Sequence, residues 1–126
     1  MADKQIIHPE GFSPSVPLSP GVRCGDLIYT SGQVGAAPHT GALAKGDVGA
    51  QTEQTLRNVQ AVLEQAGSSM DKVIKATCFL TDRAHFTQFN EVYKRFFPRD
   101  APARSTIICG LASADLLVEI EVIATA

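Results

Sequence analysis

Two segments of the chain carry apolar residues at the spacing of an amphipathic helix. The first segment has its apolar residues at Leu56, Val59, Val62, Leu63 and Ala66. Asp47 stands where an N-cap is expected, and Gly67 stands where a C′ glycine ends a helix. The second segment has its apolar residues at Phe86, Phe89, Val92, Tyr93 and Phe96. Asp82 is its expected cap and Pro98 stops it, so the pattern predicts two helices.

Other segments have the composition and alternation of β-strands. They are residues 26–31, 73–80, 103–109 and 117–125. In the second of these, alternation predicts one face with Val73, Lys75, Thr77 and Phe79, and the other with Ile74, Ala76, Cys78 and Leu80. Residues 35–46 are rich in glycine and alanine and indicate a loop or hairpin. The prolines between residues 9 and 20 exclude a helix or a central strand and favour an ordered, extended segment.

These elements predict an α+β fold in which both helices lie on one face of a single sheet. Each amphipathic helix needs one apolar surface, and one sheet face can serve both. The last strand has an apolar row at Val118, Ile120 and Val122, but Leu117 and Ile123 also make its other face partly apolar. A small domain with apolar residues on both sheet faces and only two helices is expected to oligomerise. The pattern alone leaves the number of subunits open.

The bulk composition limits the class of protein. With 126 residues, 13.4 kDa and 44% apolar residues, the chain is predicted to be one globular domain over residues 1–126. It has no apolar run of the ~20 residues that a membrane span needs, and residues 1–10 lack the apolar core of a signal peptide. A cytoplasmic protein is therefore expected. The net charge of −2 and the scattered basic residues predict neither a nucleic-acid nor a membrane partner.

The cysteines and histidines do not predict a metal site or a disulfide framework. The cysteines are Cys24, Cys78 and Cys109, and the histidines are His8, His39 and His85. Their wide spacing fits neither a pair of disulfides nor a zinc-ligand pattern. Each cysteine is interpreted as a small buried apolar residue. We expect no metal and no cofactor.

A few polar residues are candidates for chemistry. Arg104 begins a strand, and an arginine fork suits a carboxylate ligand, although a strand-end arginine can equally extend into solvent. Glu119 and Glu121 share one face of the last strand, where a partly desolvated carboxylate could act as an acid or base, or both could face water. Asn90 would ordinarily face solvent. The turn at Ser31 and Gly32 could present backbone N–H groups to a ligand, although most turns do not.

Taken together, these pieces resemble the RidA (YjgF) family over nearly the whole chain. The matching motifs are YTSGQ at residues 29–33, QTEQTLRNV at 51–59, Phe89-Asn90 with Tyr93, Phe96 and Phe97, PARS at 102–105, and VEIEVIA at 118–124. No single motif is specific, but their order and spacing together are.

The resemblance implies a chorismate-mutase-like α+β fold, assembled as a homotrimer around a central β-barrel with sites at the subunit interfaces. It implies hydrolysis, without a cofactor, of reactive enamines or imines of the 2-aminoacrylate/2-iminopropanoate type, with release of ammonia and a 2-keto acid. By the same resemblance, Arg104 holds the substrate carboxylate and Glu119 orients or activates water. Ser31, Gly32 and Asn90 complete the pocket.

Two positions depart from the founding branch of that family. Leu18 falls where that branch has a pocket tyrosine, and loss of the tyrosine hydroxyl should make the pocket more apolar. Thr106 falls where that branch usually has a cysteine, a change that need not abolish turnover because no covalent step is required. Residues 17–20, 108–111 and 117–120 are similar to the RutC-like branch of pyrimidine breakdown. The physiological substrate stays open, as does a role in general damage control or in one catabolic pathway. The alternatives are a non-catalytic carboxylate-binding module and the endoribonuclease that the family label suggests.

Overall fold

The computed structural model describes residues 3–126. The strands are β1 Lys4–Ile7, β2 Gly21–Cys24, β3 Leu27–Thr30, β4 Val73–Leu80, β5 Ala103–Ile108 and β6 Val118–Thr125; the helices are α1 Val48–Gln65 and α2 Phe86–Phe96. The strands form one six-stranded sheet in the order β1-β2-β3-β6-β4-β5. Strands β4 and β5 are parallel because α2 connects them, whereas the other neighbouring strands are antiparallel.

Helix α1 begins where its capping residue predicts, whereas a 3-10 turn separates Asp82 from the start of α2. The Asp47 side chain accepts a hydrogen bond from the Ala50 N–H at 3.2 Å, and Gly67 adopts the left-handed conformation that ends α1. The Asp82 side chain caps a 3-10 turn, Arg83–His85, by accepting from the Ala84 N–H at 2.8 Å, and α2 follows directly. These local signals set the helix boundaries.

The two helices pack against the same face of the sheet, which confirms the predicted α+β class. Helix α1 contributes Leu56, Val59 and Leu63 to the core, and α2 contributes Phe89, Tyr93 and, at its end, Phe97. The sheet contributes Ala76, Cys78, Leu80, Val118, Ile120 and Val122. Neither helix covers the opposite sheet face, where Tyr29 and Ile107 are 45% and 43% exposed.

Two short strands at the amino-terminal side were not predicted. Strands β1 and β2 have four residues each, too few for an alternation signal, and they form because they pair with each other and with β3. Between them, residues 9–20 contain neither helix nor strand, as the prolines require. Residues 35–46 form the expected loop, closed by a bridge between Ala36 and Leu43.

A β-bulge near the start of β4 makes one predicted face wrong. Val73 pairs with Ala124 while Lys75 pairs with Ile123, so two residues of β4 advance against one of β6. Val73 therefore joins the core, and Ile74, predicted to share the face of Ala76, is 48% exposed. From Lys75 onward the alternation is as predicted.

The cysteines occupy three different environments. Cys78 is buried, and burial raises the pKa of its thiol to about 12, so it remains protonated. Cys109 is half-buried, and Cys24 is exposed at the last position of β2. The expectation of a buried cysteine is thus wrong for Cys24, because the strand ends there in a turn. In residues 3–126 no helix is long and apolar enough to cross a membrane, and no three His, Cys, Asp or Glu side chains cluster as metal ligands would.

Candidate functional site

Arg104 lies on the face of β5 that the helices cover. It pairs with the buried Ala76 of β4, and its guanidinium carbon is 4.7 Å from the centroid of the Tyr93 ring. The ring centroids of Phe89 and Phe86 are 5.4 Å and 5.9 Å away. Helix α2 presents these three rings together because their spacing places them on one stripe. Cation–π attraction holds the guanidinium there without using its N–H groups.

The Arg104 guanidinium has no carboxylate partner within residues 3–126. The ion pair found in this part of the chain joins Arg57 and Glu53 on the exposed side of α1. The Arg104 side chain is half-buried over the aromatic rings and does not extend freely into solvent. Its N–H groups are therefore available for a two-pronged contact with a ligand carboxylate.

Asn90 and Thr106 lie on the same side of the sheet as Arg104. Asn90 falls between Phe86 and Tyr93 on the stripe of α2, and Thr106 follows Arg104 by two residues on the same face of β5. The Asn90 Oδ1 and Tyr93 hydroxyl atoms are buried without a hydrogen-bond partner, which is uncommon in a folded chain. Burial also raises the pKa of the Tyr93 hydroxyl, so it stays protonated. We call Arg104, Asn90, Thr106 and the three rings the arginine half-site.

Glu119 lies on the opposite face of the sheet, against a glycine. It pairs with Phe79 of β4 and is half-buried. A Cβ added to Gly32 would overlap the Oε2 atom of Glu119, so the carboxylate occupies the space that a side chain at position 32 would fill. Burial, and then the charge of Glu121, raises the pKa of the Glu119 carboxyl. Within residues 3–126 the Gly32 N–H has no acceptor.

A second bulge brings Gly32 beside Glu119. Tyr29 pairs with Ile123, and Gln33 pairs with Ile120 through backbone bonds of 2.8 Å and 3.0 Å. The three residues from 30 to 32 therefore lie opposite only two of β6. The Thr30 hydroxyl accepts from the Val122 N–H at 3.0 Å and replaces a ladder bond that the bulge removes.

Ser31 anchors the proline-rich segment that carries Leu18. The Ser31 hydroxyl donates to the Ser19 carbonyl, and the Ser31 N–H donates to the Pro20 carbonyl at 2.9 Å. Leu18 is 47% exposed and, with Gly32, lines an open groove of about 650 Å³. We call Glu119, Gly32, Ser31 and Leu18 the glutamate half-site.

One chain does not bring the two half-sites together. Arg104 pairs with Ala76 and Glu119 with Phe79, and these two β4 residues are three positions apart. Side chains of a strand alternate between faces, so Arg104 and Glu119 point to opposite sides of the sheet. The predicted site residues therefore form two groups, with Arg104, Asn90 and Thr106 in one and Leu18, Ser31, Gly32 and Glu119 in the other.

Sequence reasoning missed the aromatic surroundings of Arg104. Phe86, Phe89 and Tyr93 were interpreted as an apolar stripe facing the core, but all three rings also contact the guanidinium. Phe86 is 44% exposed, whereas a ring that served only to pack the core would be buried. The available signal was the sequence separation of three and seven between the rings, which clusters them on one side of the helix.

Comparison with known proteins identifies the class to which this fold and these half-sites belong. Residues 9–126 match the family described as Endoribonuclease L-PSP. A RutC family protein of Pyrococcus horikoshii is 39% identical over 122 residues, covering 96% of this chain and 97% of the relative. The chain belongs to this Endoribonuclease L-PSP family, which is the RidA (YjgF) family predicted from the motifs.

Solved structures agree with that assignment. The YjgF gene product of E. coli superposes with a TM-score of 0.87 at 36% identity, covering 96% of this chain and 98% of the other. The E. coli protein TdcF, solved with bound serine, superposes with a TM-score of 0.85 at 36% identity, covering 97% and 98%. Both confirm the predicted fold.

Proposed function

We propose that this protein is a hydrolytic deaminase of small enamines or imines that carry a carboxylate, and that it releases ammonia and a 2-keto acid. The observation that carries the proposal is the pair of half-sites. One offers a guanidinium without a carboxylate partner, and the other offers a partly desolvated carboxylate beside a backbone N–H without an acceptor. Membership of the family and the serine bound to TdcF both support a small carboxylate ligand.

Arg104 is the carboxylate anchor in this proposal. A guanidinium gives two parallel hydrogen bonds to a carboxylate, and the rings of α2 already fix its plane, so little side-chain freedom is lost on binding. The buried Oδ1 of Asn90 would accept a hydrogen bond from the substrate nitrogen or from water. These contacts hold the C=N group in one orientation.

Glu119 is the acid–base group. A raised pKa keeps a carboxylate basic enough to take a proton from water while the water oxygen forms a bond to the imine carbon. Returning this proton to the nitrogen gives a tetrahedral intermediate that carries a hydroxyl and an amino group. Glu119 then moves the hydroxyl proton to the nitrogen, the C–N bond breaks as the C=O bond forms, and ammonia leaves. An enamine substrate first gains a proton on carbon to become the imine. The Gly32 N–H can donate to the oxygen that develops negative charge.

Because the half-sites point to opposite faces, we propose that the complete site forms between two copies of the chain in a homotrimer. The sheet face without helix cover, with Tyr29 and Ile107 exposed, is the surface that the other copies would bury. Light scattering should give about three times the 13.4 kDa of one chain. A monomer at micromolar concentration would contradict this assembly.

A mixing experiment tests whether the site is shared. Arg104→Ala and Glu119→Gln are each expected to be inactive, but subunit exchange at equal amounts should restore about a quarter of the sites. A site is intact only when its arginine half-site comes from the Glu119→Gln chain and its glutamate half-site comes from the Arg104→Ala chain. Arg104→Ala mixed with Asn90→Ala is the control, since both changes are in the same half-site. Recovery in the control mixture, or none in the test mixture, would contradict a shared site.

The reaction itself is tested by ammonia release from imines generated in place by an amino-acid oxidase or a dehydratase. We expect 2-iminopropanoate and larger imines to be hydrolysed faster than in buffer, with no change after incubation with a chelator. Binding of 2-keto acids without accelerated ammonia release would favour the non-catalytic binding module. Cleavage of RNA that Arg104→Ala and Glu119→Gln both abolish would favour the endoribonuclease.

A further inference from the structure

Helix α1 turns a row of polar side chains toward the interior. The row consists of Gln51, Thr52, Thr55 and Asn58, all of them buried. The two threonine hydroxyls donate to carbonyls of the same helix, at 2.7 Å each. Gln51 and Asn58 are seven residues apart, which places them on one side of the helix, and both bind segments outside it. Side-chain amides are seldom buried, and those that are buried nearly always have hydrogen-bond partners.

Gln51 holds the segment that leads into β6. Its Oε1 accepts from the Leu117 N–H at 2.8 Å, and its Nε2 donates to the Asp115 carbonyl at 3.0 Å. Leu117 precedes Glu119 by two residues. The Gln51 amide therefore fixes where β6 begins, and with it the starting position of the Glu119 backbone.

Asn58 holds the segment that follows Gly32. Its Nδ2 donates to the carbonyls of Val34 and Ala36 at 2.9 Å and 2.8 Å, and its Oδ1 accepts from Gln54 at 2.9 Å. Val34 follows Gly32 by two residues. Both amide hydrogens of Asn58 are thus used to keep this segment against α1.

We propose that Gln51 and Asn58 are positioning residues that set the distance between the Gly32 backbone and the Glu119 carboxylate. From one rigid helix they hold the residues just after Gly32 and just before Glu119. The backbone beside Gly32 is joined to the backbone beside Glu119 by the β-bridge of Gln33 to Ile120. This inference rests on the proposed function for the role of Glu119, and it adds residues that do not touch the substrate.

The kinetic test compares Gln51→Met and Asn58→Leu with Thr55→Val. Thr55→Val is the matched control because it removes an equally buried polar group from the same helix, but one whose bond stays inside the helix. Misplacement of a catalytic group by about 1 Å can reduce the rate by about 100-fold, so we expect kcat to fall at least about ten-fold in the first two variants. KM should change by less than about three-fold, because Arg104 still holds the carboxylate. Thr55→Val should keep its kcat.

Conservative variants separate positioning from folding. Gln51→Glu retains an acceptor for the Leu117 N–H and loses the donor to Asp115, so it should recover part of the kcat lost in Gln51→Met. If Gln51→Met unfolds, Gln51→Glu and Asn58→Leu carry the comparison. Equal kcat in all folded variants, or an equal loss in Thr55→Val, would overturn the proposal.

A readout without turnover distinguishes this inference from the proposed function. The titration of the Glu119 side chain can be followed by carbon-13 NMR, with Glu119→Gln to assign the signal. In the wild-type protein we expect a raised pKa, with Glu121 as the charged neighbour, and in Gln51→Met and Asn58→Leu a return toward the ordinary value. A shift in these variants without deaminase activity in the wild type would retain the positioning role and reject the deaminase. An active wild type with an unchanged Glu119 pKa in both variants would retain the deaminase and reject the positioning role.

Discussion

The two half-sites are built in different ways. In the arginine half-site, side-chain contacts decide the geometry, because three rings of α2 contact a guanidinium that makes no ion pair in the described residues. In the glutamate half-site, the backbone decides the geometry, because a bulge in β3–β6 pairing and the missing Cβ of Gly32 create the space for the Glu119 carboxylate.

This difference predicts which substitutions each half-site tolerates. The arginine half-site depends on the spacing of residues along one helix, so a lost ring weakens the cation–π contact without moving the strand. The glutamate half-site depends on register, and a single added methyl group at Gly32 displaces the carboxylate. We therefore expect substitutions in the arginine half-site to act mainly on binding, and those in the glutamate half-site to act mainly on the chemical step.

The largest effect is expected for Glu119→Gln. Loss of a general acid–base group reduces kcat by roughly 100-fold to 10,000-fold. Glu64→Gln is the control, because it makes the same change at an exposed position of α1. Steady-state kinetics on one imine substrate measures both. A kcat within about two-fold of the wild type in Glu119→Gln would remove Glu119 from the mechanism.

The pH dependence follows from the same carboxyl group. The folded-state pKa of Glu119 is raised, so the active carboxylate form is lost earlier as pH decreases. Activity should therefore begin to fall at a higher pH than it would with an ordinary glutamate. The raised pKa also means that the folded state binds this proton more tightly than the unfolded state, so Glu119 lowers stability as pH rises through that pKa. Glu119→Gln should therefore lose activity without losing stability at neutral pH, as thermal unfolding would report.

Arg104→Lys is expected to reduce kcat/KM by roughly 10-fold to 100-fold. An ammonium group cannot reproduce the two parallel hydrogen bonds, and each such bond to a charged group contributes about 1.5–3 kcal/mol. The loss should appear mainly in KM. Arg57→Lys, on the exposed side of α1, serves as the control. Near-normal kcat/KM in a folded Arg104→Lys would show that the carboxylate is bound elsewhere.

Gly32→Ala sharpens the comparison between activity and stability. Only the flexible end of Glu119 must move to admit the new methyl group, so the melting temperature should change little while kcat falls about ten-fold or more. Gly35→Ala differs, because its Cβ would meet the backbone of Gln51 at 2.9 Å, and backbone atoms cannot move away. Overpacking of that kind costs about 1–3 kcal/mol. A stable, fully active Gly32→Ala would contradict the position assigned to Glu119.

Leu18→Tyr should have the smallest effect on kcat, and it should act instead on the ranking of substrates. Leu18 lines the groove with Gly32, so its apolar side chain should favour imines derived from leucine or methionine at least as much as 2-iminopropanoate. One methylene in an apolar pocket is worth roughly 1–3 kcal/mol, so the preference should be about tens-fold and not absolute. Tyrosine should reverse the order in competition assays. An unchanged ranking would mean that Leu18 does not contact the substrate side chain.

The sequence by itself determined the elements whose signals are local. Asp47 and Gly67 bound α1, and the residues from Val73 to Leu80 form β4 as predicted. Asp82 caps the 3-10 turn that leads into α2, and Pro98 follows the end of α2. A cap or a terminal glycine acts within one helical turn, so a few neighbouring residues suffice to predict it. The family motifs also predicted Arg104 and Glu119 as site residues, but not how they lie relative to each other.

Only the tertiary structure decided the faces and the register. The bulges at Ile74 and at residues 30–32 arise from pairing with β6, which is distant in sequence, and each one reverses the side that a residue faces. The short strands β1 and β2 exist only through their pairing. For the same reason, no pattern within β5 or β6 could show that Arg104 and Glu119 lie on opposite faces, because that relation is set by the register of each strand with β4.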